Sequence, residues 1–134
     1  MLDGTLIYTN FVGTCLRSTV DLEWTHVLIH LRGMQYEATP PRVRRTQHLP
    51  RRVFLQLPKE PYTEEQINKM VRHAVSQLGR KYDWHGFFDP RFYGRTRGIY
   101  CSQYACNILR AGNVPIAYCA GYSPDTLKAA MEKL

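Results

Sequence analysis

The stretch Thr25-His26-Val27-Leu28-Ile29-His30-Leu31-Arg32-Gly33-Met34-Gln35-Tyr36-Glu37-Ala38-Thr39 decides how the chain is read. Residues 25–31 are rich in branched apolar side chains and predict a strand. Arg32-Gly33 predicts a two-residue turn, with the glycine supplying positive φ. Met34 to Thr39 then returns as the second arm of a hairpin. With that turn, Leu31 faces Met34 and Leu28 faces Glu37. Side chains alternate along a strand, so His26 shares a face with Leu28 and is a diagonal neighbour of Glu37. A carboxylate in that position would fix the tautomer of His26 and stabilise its protonated form. Changing the turn by one residue would move Glu37 to the other face.

Outward from the hairpin, Thr5-Leu6-Ile7-Tyr8-Thr9 predicts a short strand before it, and residues 10–23 read as a loop. After it, Pro40-Pro41 breaks the pattern, and Val43 to Thr46 predicts another short strand. Arg52-Val53-Phe54-Leu55-Gln56-Leu57 reads as a buried strand. Thr63, with Gln66 three residues on, has the spacing of a capping box. Ile67, Met70, Val71, Ala74, Val75 and Leu78 follow at helical spacing, and Gly79 ends the helix. Lys81 to Gly98 reads as a long surface loop, and loops of that length are often functional. A second helix starts at Cys101 and ends near Ala111-Gly112-Asn113. Ser123-Pro124-Asp125 opens a third, with proline at the first helical position. Segregated strands and helices predict an α+β fold with an antiparallel sheet, in a single domain spanning 1–134.

Cys101 is the second focus. The N-terminus of a helix carries partial positive charge and favours a thiolate over a thiol. A catalytic thiolate needs a general base and an orienting group, and the hairpin offers His26 and Glu37. The reading is therefore Cys101 as nucleophile, His26 as base and then acid, and Glu37 as orienter. The backbone N–H of Cys101 and the Tyr100 hydroxyl are the expected oxyanion donors. The bland alternatives are a structural cysteine, a satisfied strand histidine and a solvated glutamate. Cys15 with His73 or His85 is a weaker rival pairing.

The remaining cysteines are Cys15, Cys106 and Cys119. Cys106 lies about 140° around the helix from Cys101 and reads as core. Cys119 reads as structural. There is no CxxC pair and no zinc-like Cys/His spacing, so neither a metal nor a cofactor is expected. No basic n-region leads into an apolar segment, so no signal peptide is expected and free thiols are preferred. That reading implies cytoplasmic synthesis, with export by another route or carriage in a phage particle left open. No apolar run is long enough for a transmembrane segment.

The formal net charge is +7 and the hydrophobic content 44%, which excludes a disordered chain and favours anionic partners such as nucleic acid, anionic lipid or cell wall. Arg42, Arg44, Arg45, Arg51 and Arg52 supply much of the charge. Arg42, Arg44 and Arg45 read either as contacts to a phosphate or carboxylate or as a solvated strand edge. His85 and Trp84, with neighbouring aromatics, read as a substrate wall or as a loop anchored by its own rings. His30 lies on the His26 face, in the cleft or in packing.

Four motifs carry a resemblance. Trp24-Thr25-His26-Val27-Leu28-Ile29 resembles the W-S-H-V-x-I strand of the permuted papain-like hydrolases, relatives of the NlpC-type cell-wall peptidases. Tyr36-Glu37-Ala38 is similar to the Y-E-A that follows there. Tyr100-Cys101-Ser102-Gln103 resembles the nucleophile motif Y-C-S-E/Q, and Tyr122-Ser123-Pro124-Asp125-Thr126-Leu127 resembles T-P-D-x-L. They occur in the permuted order, histidine before cysteine, over nearly the whole chain. The family's early G-D appears here as Gly4-Thr5, and the loop from Lys81 to Gly98 has no counterpart. The resemblance implies a papain-like core, a cysteine helix packed on a small barrel-like antiparallel sheet, and a Cys101, His26, Glu37 triad with Tyr100 near the oxyanion. It implies amide hydrolysis through an acyl-enzyme, with peptidoglycan stem peptides as the first substrate class. Trp24, His30, Trp84 and His85 are the candidate substrate contacts. Lecithin:retinol acyltransferase-like proteins resemble the same group, so a lipid acyl hydrolase or transferase is the alternative. A module binding single-stranded nucleic acid ranks last, since no nucleic-acid motif is present.

Overall fold

The computed structural model describes residues 1–10, 24–83, 99–117 and 122–134. Within them the fold is α+β, with a five-stranded antiparallel sheet and three helices. The strands are β1 (Leu6–Thr9), β2 (His26–Leu31), β3 (Met34–Ala38), β4 (Val43–Thr46) and β5 (Phe54–Gln56). Their order across the sheet is β4-β3-β2-β1-β5. The helices are α1 (Glu64–Ser76), α2 (Cys101–Ala111) and α3 (Pro124–Glu132).

The β2–β3 hairpin has the predicted register: Leu31 pairs with Met34, His30 with Gln35 and Ile29 with Tyr36. Arg32 and Gly33 both have positive φ, 48° and 78°, the signature of the turn whose twist matches the flanking strands. Alternation then sorts the hairpin. Val27, Ile29, Leu31, Tyr36 and Ala38 join Leu6 and Tyr8 of β1 in the main core cluster. Helix α2 packs on β2 and β3 and also against α1, and α3 packs on α2. Tyr104, Ala105, Ile108 and Leu109 supply the buried face of α2, and Ile67, Met70 and Ala74 that of α1. Fully burying one such large apolar side chain stabilises the fold by about 1.5–3 kcal/mol. Gly4 (φ 85°) begins the chain's approach to β1, and a Cβ there would lie 2.3 Å from the Tyr62 ring, so this position excludes a side chain.

Three expectations need correction. The strand read as buried over 52–57 is the exposed edge β5, with Phe54 40% and Leu57 53% accessible. Its apolar composition reads as core, but it pairs only with β1, and its outer edge has no strand neighbour among the described residues. Phe54 is covered on one side by Lys128, 4.6 Å from the ring centre, and lies 6.2 Å from the Trp24 ring. Val75, assigned to the inner face of α1, lies at the boundary of that face and is exposed. Finally, Cys106 is not a free thiol: it is disulfide-bonded, to a partner outside the described residues. Cysteine spacing along the chain does not report the approach of Cα atoms on which a disulfide depends.

Candidate active site

The first residue of β2 and the first residue of α2 meet at one end of the sheet. His26 begins β2 opposite Thr9 of β1. The Trp24 N–H donates to Asp125 Oδ1 of α3 at 2.9 Å, and the Thr25 N–H donates to the Thr9 carbonyl at 3.2 Å. The entry into β2 is therefore held from two sides. His26 is 3% and Glu37 5% exposed. His26 Nε2 lies 2.6 Å from Glu37 Oε2, the diagonal contact that the hairpin parity predicts. With Nε2 committed to Glu37, Nδ1 is the other nitrogen of the buried ring, and Cys101 lies close enough to act on the charge of the same imidazole.

The electrostatics follow from these contacts. Burial opposes a charge on His26, but the nearby Cys101 and the hydrogen-bonded Glu37 outweigh it and raise the imidazole pKa to about 9. Burial likewise opposes the Glu37 carboxylate. His26 and then Arg44 more than offset that, and Glu37 is held below its ordinary range. Arg44 Nε donates to Glu37 Oε1 at 2.7 Å, so both carboxylate oxygens are engaged. Arg44 stands directly opposite Glu37 in the β3–β4 register. Of the two readings of this arginine, the carboxylate contact is the observed one, and the carboxylate is the protein's own. The Pro40-Pro41-Arg42 connection hides that register from sequence reasoning, because it is longer than a two-residue turn.

Cys101 is the first residue of α2 and is fully buried. Tyr100 is the N-cap, extended at φ −108° and ψ 169°, and it makes no side-chain cap. Ser102 is also fully buried, and its hydroxyl donates to the Tyr122 carbonyl, which ties the start of α2 to the entrance of α3. Tyr82 and Asp83 went unnoticed in the sequence. They open the stretch read as surface loop, yet both are buried, and Tyr82 bridges to Ile99 just before Tyr100. Burial, and then the charges of Cys101, Asp83 and Tyr100, push the Tyr82 phenol far above its usual range. Nothing in the spacing of Tyr82 marks it as a neighbour of Cys101; an isolated bridge across the loop base brings it there.

The other candidates separate. Trp24 is half-buried against the core and beside Phe54. His30 lies four residues along β2, roughly 13 Å from His26 at strand rise. It pairs with Gln35, and its pKa is lowered chiefly by burial. Trp84 and His85 lie outside the described residues. Among the described residues no cluster of His, Cys, Asp and Glu has the makings of a metal site, and no helix is long and apolar enough to cross a membrane. No family model, curated protein or solved structure matches the chain.

Proposed function

We propose that the protein is a cysteine hydrolase of the permuted papain-like kind, cleaving an amide bond through an acyl-enzyme. The observation that carries this reading is one buried imidazole held by Glu37 at 2.6 Å on Nε2, with Cys101 near enough to influence its charge. In the reaction, His26 takes the Cys101 thiol proton as the sulfur attacks the carbonyl carbon and the C=O electrons move to oxygen. The Cys101 N–H and the Tyr100 hydroxyl are the proposed donors to that oxyanion. Protonated His26 then gives its proton to the leaving nitrogen as the C–N bond breaks. Neutral His26 next takes a proton from water, whose oxygen attacks the thioester; the C–S bond breaks, its electron pair and the His26 proton return to Cys101 sulfur, and a carboxylic acid is released. Glu37 holds the ring in register and stabilises its charge throughout. Cys101 is fully buried, so an acyl group reaches it only when the side chains covering it part.

Peptidoglycan stem peptides are the proposed substrate class. The net charge of +7 would concentrate the protein at an anionic wall. The disulfide at Cys106 favours an oxidising place of action over a reducing cytosol. The test is incubation with defined muropeptides, read by mass spectrometry. Cleavage is expected from the native chain, with a loss of about 10⁴-fold or more in Cys101→Ala and an unchanged circular dichroism spectrum. Equal turnover by the variant would end the proposal.

A further inference from the structure

The connection between β4 and β5 builds a second feature at the same end of the sheet. These strands are the two edges, so residues 47–53 must cross β3, β2 and β1, roughly 19 Å over four inter-strand spacings. So short a segment crosses with little slack. It is pinned at both ends: the His48 N–H donates to Thr46 Oγ1 at 3.0 Å, and Thr9 Oγ1 donates to the Arg52 carbonyl at 2.9 Å. Thr9 is the residue opposite His26. The crossing therefore borders an open cavity of about 590 Å³ beside the His26–Glu37 pair, whose lining includes His26, Glu37, Arg44, His48, Arg51 and Arg52.

The charge in this cavity is one-sided. Glu37 is the one acid among its described lining residues, and both its carboxylate oxygens are occupied by His26 and Arg44. Arg51 and Arg52 have no ion-pair partner among the described residues. Uncompensated guanidinium groups around a concave space focus a positive potential, and their planar N–H forks suit the paired oxygens of an oxyanion.

We propose that this cavity is an anion subsite, in which Arg51 and Arg52 hold a carboxylate or phosphate group of the substrate beside the His26–Glu37 pair. That the anion belongs to the substrate rests on the hydrolase reading; the binding site itself does not. The test is calorimetric titration of the full chain at low ionic strength with inorganic phosphate and, separately, glutarate. Saturable binding of at least one probe is expected, and the tighter probe identifies the oxyanion. The double variant Arg51→Gln, Arg52→Gln should weaken it on the order of tenfold or more. The charge-matched pair Lys69→Gln, Arg72→Gln on α1 should leave it unchanged. No saturable binding of either probe, or equal weakening by both pairs, overturns the subsite, because the second result reports net charge alone. Cys101→Ala should bind the probe like the native chain. Turnover that survives in Cys101→Ala removes the hydrolase reading and leaves the subsite standing, so the two failures are distinguishable.

Discussion

The starts of helices α1 and α2 are built in opposite ways. At α1, Thr63 and Gln66 form a reciprocal capping box and Glu64 and Glu65 occupy the first turn. α3 repeats the scheme, with Ser123, Thr126 and Asp125. Both helices satisfy their own orphan N–H groups and complement their own dipoles. α2 does neither: Tyr100 provides no side-chain cap, and there is no acidic residue in the first turn. What stands at that start is Cys101, near an imidazole that is backed by Glu37 and, through it, Arg44. A helix start that forgoes its own cap keeps its N–H groups and positive end for another anion, which suits a thiolate or an oxyanion. The lesson is that stability is invested locally at α1 and α3, whereas the start of α2 depends on residues contributed by β2, β3 and β4.

The comparison can be broken by moving charge at either kind of start. After the loss of Cys101 itself, the largest effect is expected from Glu37→Gln, which keeps the shape but removes the charge behind His26. Turnover should fall by about 10³-fold. The His26 pKa, read by NMR titration of the ring, should drop from about 9 toward its ordinary value. An unshifted ring titration would mean that Glu37 does not act through His26.

Stability against pH comes next. His26 holds its proton more tightly in the folded state, so its contribution is complete below pH 6.5 and is lost as pH rises through about 9. Glu37 has the opposite sign: its contribution is present above about pH 4.5 and is lost on acidification. Unfolding by urea should therefore show a decline of about 3 kcal/mol between pH 6.5 and 9. The His26→Gln variant should lack that slope. A native profile that is flat over this range would contradict the buried ion set.

The smallest effects belong to the capped helices. Thr63→Ala and Ser123→Ala should each cost about 1 kcal/mol of stability and leave kcat untouched. A large loss of turnover in Thr63→Ala, with stability preserved, would erase the distinction between the two kinds of helix start.

How much was legible beforehand follows the range of each interaction. The Arg32–Gly33 turn, the register of the hairpin and the contact of His26 with Glu37 were readable, because a two-residue turn and strict alternation leave one geometry. The caps of α1 and α3 were readable because a capping box is contained in four consecutive residues. Arg44 behind Glu37, Tyr82 beside Cys101 and the bonded state of Cys106 were not, since each depends on segments brought together across a connection of irregular length.

By itself, then, the sequence determined the local devices: which residues turn, which cap, and which two polar side chains share a face of one hairpin. Only the tertiary structure decided where those devices meet. It placed β5 at an exposed edge despite its apolar composition, and it drew the β4–β5 crossing beside His26. It also set the start of α2 against the start of β2. The physical reason is that propensity and alternation act over a few residues, whereas burial, charge pairing and enclosure depend on the order of strands in the sheet.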